Sequence, residues 1–228
     1  MINRAIKYRL YPTEEQKVFF AKTFGCVRKV YNLMLSDKIA SYQNTGEFCK
    51  VTPAMYKEKY PFLKEVDSLA LANASMNLQA AFSNFFSRTR KKKNGFPKFK
   101  SFKRSKRAYT TNNQKGTVAI ISGKYIKLPK IGKVKAAIYR IPNESWVLKS
   151  ATISQDRDGK YYASVLFEFD KPVNTYVADA HNAIGLDYAS DGLYVDHNGN
   201  IGTNHKYYRQ SHAKLAKAQR KLSRMKGS

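Results

Sequence analysis

Hydrophobic and polar positions alternate over residues 3–11, with Ile6, Tyr8 and Leu10 set against Ala5, Lys7 and Arg9, and the run ends at Pro12. A period of two predicts a half-buried strand, and proline stops it. Thr13-Glu14-Glu15-Gln16 then places a hydroxyl at a helix N-cap and an amide three residues on, the signature of a capping box. The period becomes helical. It predicts helices over residues 14–24, over 27–44 with Val27, Val30, Tyr31, Met34 and Leu35 on one face, over about 52–59, and over about 68–90 carrying Leu69, Met76, Phe82, Phe85 and Phe86. Gly95-Phe96-Pro97 breaks the helical run.

From about residue 107 the period returns to two. Short β segments are expected at 117–121, 124–128 and 134–141. Longer ones at 146–154 and 160–169 flank Asp156-Arg157-Asp158-Gly159, a hairpin turn by composition. Residues 172–182 read as a linker, 183–188 as a short buried apolar strand, and 192–196 as its hairpin partner. A cationic helix closes the chain, with Leu215, Ala218 and Leu222 on one stripe. There is no internal repeat.

This order predicts an α+β fold. Residues 1–11 start a β-barrel, 12–95 form an inserted helical domain, 96–178 supply a basic linker and the rest of the barrel, and 179–228 begin another domain. Two strands and one helix cannot cover a sheet on both faces, so that last segment reads as the opening of an α/β domain.

Composition narrows the partner. Of 228 residues, 42 are Lys or Arg and 16 Asp or Glu, a formal charge of +26. With 43% hydrophobic residues the chain can bury a core, which excludes a disordered polybasic tail. No run of 18 apolar residues predicts a bilayer span, and Met1-Ile2-Asn3-Arg4 leads directly into the first strand, so no signal peptide is expected. Cys26 and Cys49 are too few for a disulfide framework and suit a reducing compartment. Self-repulsion at this charge favours a polyanionic partner, nucleic acid first and an anionic membrane surface second.

The charge is also concentrated. No carboxylate falls between Asp67 and Glu144, and none follows Asp196. Within residues 88–107, eleven of twenty are basic, among them Arg88, Arg90, Lys91, Lys92, Lys93, Lys98, Lys100, Lys103 and Arg104, with Phe96, Phe99 and Phe102 interspersed. Cations neutralise phosphates and aromatic faces stack unpaired bases, so this tract reads as a nucleic-acid surface. Lys217, Arg220 and Lys221 put a second such surface on the terminal helix. Calmodulin targets and membrane-surface helices share its pattern, with larger apolar faces.

Ile184-Gly185-Leu186-Asp187-Tyr188 places a carboxylate in an apolar strand, where burial is costly unless the group is paired or holds a metal. RNase H-like nucleases use such an Asp as a Mg²⁺ ligand, and other α/β proteins use one as a helix cap. Asn73 and Asn77 lie one helical turn apart; asparagine can pair bidentately with adenine, and polar residues also simply solvate helix faces. His181, His197, His205 and His212 show no metal-ligand spacing.

Several stretches, in one order along the chain, resemble the TnpB (OrfB) family of transposon-encoded RNA-guided DNA nucleases, relatives of type V CRISPR effectors. They are Arg9-Leu10-Tyr11-Pro12, Val30-Tyr31-Asn32, Val66-Asp67-Ser68 with Ala70-Leu71, Asn84-Phe85-Phe86, Gly95-Phe96-Pro97-Lys98-Phe99, Thr111-Asn112-Asn113, Lys127-Leu128-Pro129-Lys130, Tyr161-Tyr162-Ala163-Ser164-Val165, and Tyr207-Tyr208-Arg209 with Lys217-Ala218-Gln219. The resemblance implies a wedge-type β-barrel interrupted by a helical recognition domain, then a RuvC-like nuclease domain. It places the first catalytic, Mg²⁺-binding carboxylate on Asp187, where Tyr188-Ala189 replaces the family's x-Gly. It implicates Thr111 and Asn112, then Ser68, Ala72 and Met76, in reading a short transposon-adjacent DNA motif. Ala72 and Met76 cannot hydrogen-bond a base edge, so the motif read here is expected to differ, with Asn73 and Asn77 as candidate readers.

The family's remaining catalytic carboxylates and its four-Cys Zn²⁺ element have no counterpart in these 228 residues. Asp191 and Asp196 read as hairpin residues, not replacement ligands. The expected partners are a guide RNA and double-stranded target DNA, with no membrane, in the bacterial cytoplasm and at the nucleoid when bound to DNA. The resemblance implies RNA-guided DNA cleavage in a complete protein, with RNA-guided DNA binding without cleavage by a repressor or transposon remnant as the alternative, and the basic composition leaves guide-independent DNA binding by an accessory protein as a third.

Overall fold

The computed structural model describes residues 1–87, 95–143, 145–170, 183–189 and 192–225. The chain divides into two compact units, Met1–Pro172 and Val173–Ser228.

The first unit is mixed α+β. Seven antiparallel strands form a curled half-barrel in the order β2-β6-β7-β1-β5-β4-β3. The strands are β1 (Ile2–Tyr11), β2 (Arg107–Asn112), β3 (Ala119–Ile121), β4 (Tyr125–Leu128), β5 (Gly132–Ala137), β6 (Val147–Gln155) and β7 (Tyr161–Phe169). β1 is the organising strand. It pairs with β7 from Ile2↔Phe169 to Leu10↔Tyr161 and with β5 from Arg9↔Ala137 to Tyr11↔Lys135. Its Ile6, Tyr8 and Leu10 are buried with Ala163, Val165 and Phe167 of β7 and Ala151 and Ile153 of β6, as strict alternation demands. At the predicted β6–β7 turn, Gly159 takes a left-handed φ of 80° and donates to the Asp156 carbonyl at 3.1 Å.

Two predicted helices are one. α1 runs unbroken over Glu14–Thr45. Gly25 sits mid-helix, where its helix-weakening tendency is outweighed by burial of Phe20, Phe24, Val27, Val30, Tyr31, Met34 and Leu35 along one face. The capping box is formed: Thr13 Oγ1 accepts from the Gln16 N–H at 3.3 Å, and Gln16 Oε1 from the Thr13 N–H at 3.1 Å. Gln16 Nε2 also donates to the Lys133 carbonyl, tying the helix start to β5. In place of the helix expected over 52–59 there are two 3-10 turns, Pro53–Tyr56 and Pro61–Lys64, because each proline starts a turn and Pro61 cannot continue the first.

α2 spans Ser68–Phe86. Its buried stripe is Ala70, Leu71, Ala74, Leu78 and Phe82. Met76 and Phe86, apolar residues of the same helix, are 57% and 56% exposed. Small alanines at the contact bring α2 close, so that both long helices pack on β2. The segment expected as strand over 134–141 pairs only as far as Ala137, and Tyr139 and Ile141 point to solvent.

The second unit contains a two-stranded hairpin, β8 (Leu186–Asp187) and β9 (Val195–Asp196), and α3 (Tyr207–Arg224). The strands are shorter than predicted, and Leu186 and Asp187 are exposed rather than buried. A lone hairpin cannot cover both of its faces, so the apolar run has nothing of its own sheet to bury against. Among the described residues no helix is long and apolar enough to cross a membrane.

Candidate nucleic-acid interface

Asp67 is the pivot of the site. It caps α2, its Oδ1 accepting from the Leu69 N–H at 3.0 Å, and its Oδ2 accepts from the Thr111 hydroxyl of β2. Thr111 is fully buried, so this hydroxyl fixes the strand to the helix start and does not face solvent. The next residue, Asn112, is half-buried, and its Oδ1 lies 3.5 Å from Asn73 Nδ2 of α2. Asn73 Nδ2 also donates to the Leu69 carbonyl at 2.9 Å.

A cavity of about 330 Å³ opens beside this amide pair. It is lined by Asn73 and Asn77 from α2, Lys100, Ser105 and Lys106 from the basic loop, and Thr110 from β2, over a floor that includes Val27 and Tyr109. Burial pushes the Tyr109 phenol up, and the Asp67 carboxylate adds to the shift. Burial lowers the Lys100 ammonium, which stands 4.0 Å from the centre of the Tyr31 ring. Asn32 holds the loop: its Oδ1 accepts from the Lys100 N–H at 2.8 Å and its Nδ2 donates to the Lys100 carbonyl at 2.9 Å. Ser68 stands exposed at the start of α2, where its Oγ accepts from Lys57 Nζ at 2.9 Å.

Around the cavity the loop shows cations and ring faces. Lys98, Lys103 and Arg104 are exposed, and so are Phe96, Phe99 and Phe102. The Phe102 ring lies 4.5 Å from the Arg107 guanidinium and 5.5 Å from that of Arg28. A second basic and aromatic patch covers the outer face of the sheet, with Lys7 4.1 Å and Arg9 5.1 Å from the Tyr162 ring. Arg88, Arg90, Lys91, Lys92 and Lys93 lie outside the described residues, as do His181, Asp191 and the linker over 172–182.

The structure therefore gathers Asn73, Asn77, Asn112, Lys100 and the buried support Thr111 into one region. In the sequence Asp67 and Asn32 stand only as parts of family-like tripeptides, with no role assigned to either. Their signals were available: an Asp directly before a helix start, and an Asn in the middle of a helix, where it is disfavoured unless it bonds elsewhere.

In the second unit, Asp187 Oδ1 accepts from the N–H of Tyr188 at 2.8 Å. Asp196 is occupied by its turn, accepting from the N–H groups of Asn198 and Asn200 and from Asn200 Nδ2; the Asn200 bonds lower its carboxyl. Among the described residues no three His, Cys, Asp or Glu side chains gather where they could hold a metal ion. On α3, Lys217, Arg220 and Lys221 are exposed, and none of its described side chains is buried.

A family model described as a helix-turn-helix domain of OrfB from IS605 matches residues 1–47. Over those residues the structure has a strand and one continuous helix. A Streptomyces pristinaespiralis protein named "Putative RNA-guided DNA endonuclease" is 33% identical over the whole chain. The chain belongs to the TnpB/OrfB family. It spans 56% of the length of that Streptomyces protein. The virulence protein VsdF of Salmonella dublin is 41% identical over 113 residues, 42% of this TnpB-family chain and 92% of VsdF.

Proposed function

We propose that the chain binds a guide RNA and reads a short DNA motif beside the RNA-paired target. The observation that carries this reading is the cavity between α2 and β2. Neutral amides from Asn73, Asn77 and Asn112 sit where base edges could be read, and cations with exposed rings surround them where backbone and unpaired bases could be held. In this division of labour, pairing with the guide selects the target, and the protein reads only the adjacent motif and the shape of the backbone. The half-barrel corresponds to a wedge domain, α1 and α2 to the recognition helices, and the second unit to the start of a RuvC-like domain. Asp187 would supply one carboxylate to Mg²⁺, the ion that stabilises charge on a phosphodiester undergoing hydrolysis. The other ligands, and any Zn²⁺ element, would come from outside these residues.

The decisive experiment is sequencing of RNA that co-purifies with the protein. A discrete species ending in variable sequence supports guide binding. Unchanged sequence-specific duplex binding by RNase-treated protein would sink it in favour of a guide-independent DNA-binding accessory.

A further inference from the structure

We infer that the protein carries a separate phosphate-binding pocket where the turn before β3 meets the β4–β5 hairpin. This pocket would seat one phosphate group of a nucleic-acid strand. A cavity of about 310 Å³ is lined there by Lys115, Gly116, Thr117, Lys127, Lys130 and Gly132, with Leu128 and Pro129. That is the small end of the range for ligand sites, about 300–1,000 Å³. No carboxylate lines it, and none of its three lysines is ion-paired among the described residues.

Two observations say that these lysines are kept at a cost. The described residues include four non-glycine positions with positive φ, and two of them are Lys115 at 51° and Lys130 at 69°. An L-residue with a long side chain is disfavoured there; asparagine or glycine is the usual occupant of such turns. Strained backbone of this kind clusters at ligand clamps. In addition, Lys127 stands directly opposite Lys133 across the β4–β5 ladder, and facing like charges destabilise a sheet unless an anion lies between or beside them.

The backbone suits an anion as well. Gly116 and Gly132 both have φ of 77°, with open space where a Cβ would stand. Lys115 and Gly116 are the two central residues of a turn closed by the Thr117 N–H, which donates to the Gln114 carbonyl at 3.2 Å, so the lysine is carried on a fixed bend at the pocket edge. Thr117 Oγ1 accepts from the Gln114 N–H at 3.1 Å, and a hydroxyl that accepts still carries a proton to donate. The pocket shares no lining residue with the amide cavity at α2.

The test uses the full chain with inorganic phosphate and with two single-stranded oligonucleotides of one sequence, one 5′-phosphorylated and one 5′-hydroxyl. Phosphate should saturably shift the backbone amide signals of Gly116, Thr117 and Gly132. Lys115→Gly with Lys130→Gly relieves the backbone strain, so this variant should melt above the wild type while losing those shifts. Its slope of log affinity against log salt should be shallower by about 0.7 per lysine removed. Tighter binding of the 5′-phosphorylated strand by the wild type alone identifies a terminal phosphate. Equal binding of the two strands, weakened equally by the variant, identifies a backbone phosphate. Pocket signals that stay still while phosphate shifts lysines elsewhere, or a variant with unchanged affinity and salt slope, would overturn the inference. Lys127→Gln, on a regular strand, repeats the affinity test without changing turn geometry.

Discussion

The Thr111 hydroxyl of β2 donates to the Asp67 carboxylate that caps α2, and both side chains are buried. One carboxylate thus joins the strand end to the helix that together carry Asn112 and Asn73. Asp67→Ala removes the cap and leaves a buried hydroxyl unpaired, so it should cost about 2–4 kcal/mol in urea unfolding. Thr111→Val keeps the shape but strands a carboxylate oxygen, at about 1–3 kcal/mol. A double-mutant cycle should show coupling above about 0.5 kcal/mol. Strict additivity would mean that the two groups do not act together.

The amide cavity separates two kinds of contact. Asn77→Ala should relax preference at one position of the DNA motif, by about 1–3 kcal/mol of discrimination, with little effect on the salt slope. Lys103→Ala should weaken all sequences alike and flatten that slope. Binding selections on duplexes with randomised flanking bases distinguish these outcomes. Asn77→Ala with an unaltered motif would remove that residue from the reading role.

Asn32 reaches across to both polar groups of the Lys100 peptide. Asn32→Ala should therefore release the loop without unfolding α1, whose apolar face is untouched. The checks are faster hydrogen exchange at the Lys100 amide and a loss of nucleic-acid affinity at nearly constant melting temperature. An unchanged exchange rate would show that other contacts hold the loop.

Much of this was legible in the chain because burial and period agree. β1, the capping box and the β6–β7 hairpin follow directly from alternation, a hydroxyl three residues before an amide, and a turn ending in Gly159. The misreadings share a cause: local signals overridden by tertiary packing. Gly25 looked like a helix break, but the apolar face on either side of it continues through one helix. The contact face of α2 uses Ala70 and Ala74 where the larger apolar Met76 is exposed, and small residues carry little periodic signal. Asp187 looked buried because its neighbours are apolar, while its own hairpin offers no covering face. The amide contact beside the cavity joins residues 39 apart in sequence, Asn73 and Asn112, which no local pattern reveals.

Lys100 supplies a pH test. Burial lowers its folded-state value below the usual 10.5, so between that value and 10.5 the unfolded chain binds more protons and stability rises with pH. A phosphate in the cavity would favour the ammonium and raise the value again. Binding then takes up a proton wherever Lys100 has begun to lose one, and affinity falls as pH rises toward 10.5. Lys100→Arg stays charged throughout that range, so the fall attributable to this residue should vanish. Measurements with DNA, which unlike RNA survives alkali, decide it. Identical pH profiles for the two proteins would place Lys100 outside the binding surface.

Asp187 poses the sharpest question about chemistry. Its side chain is exposed, and its recorded partner is the adjoining Tyr188 N–H, so Asp187→Ala should change stability by no more than about 0.5 kcal/mol. Nucleic-acid affinity should also hold, because the cations and rings of the interface belong to other residues. Among the described residues no three potential metal ligands gather, and the expected outcome is that the 228-residue chain does not cut DNA in Mg²⁺, with or without RNA. Adding Mg²⁺ to the purified chain with a radiolabelled duplex tests this directly. Cleavage that requires Mg²⁺ and disappears in Asp187→Ala would show that carboxylates elsewhere in the chain complete the site, and would restore the nuclease reading for these residues alone.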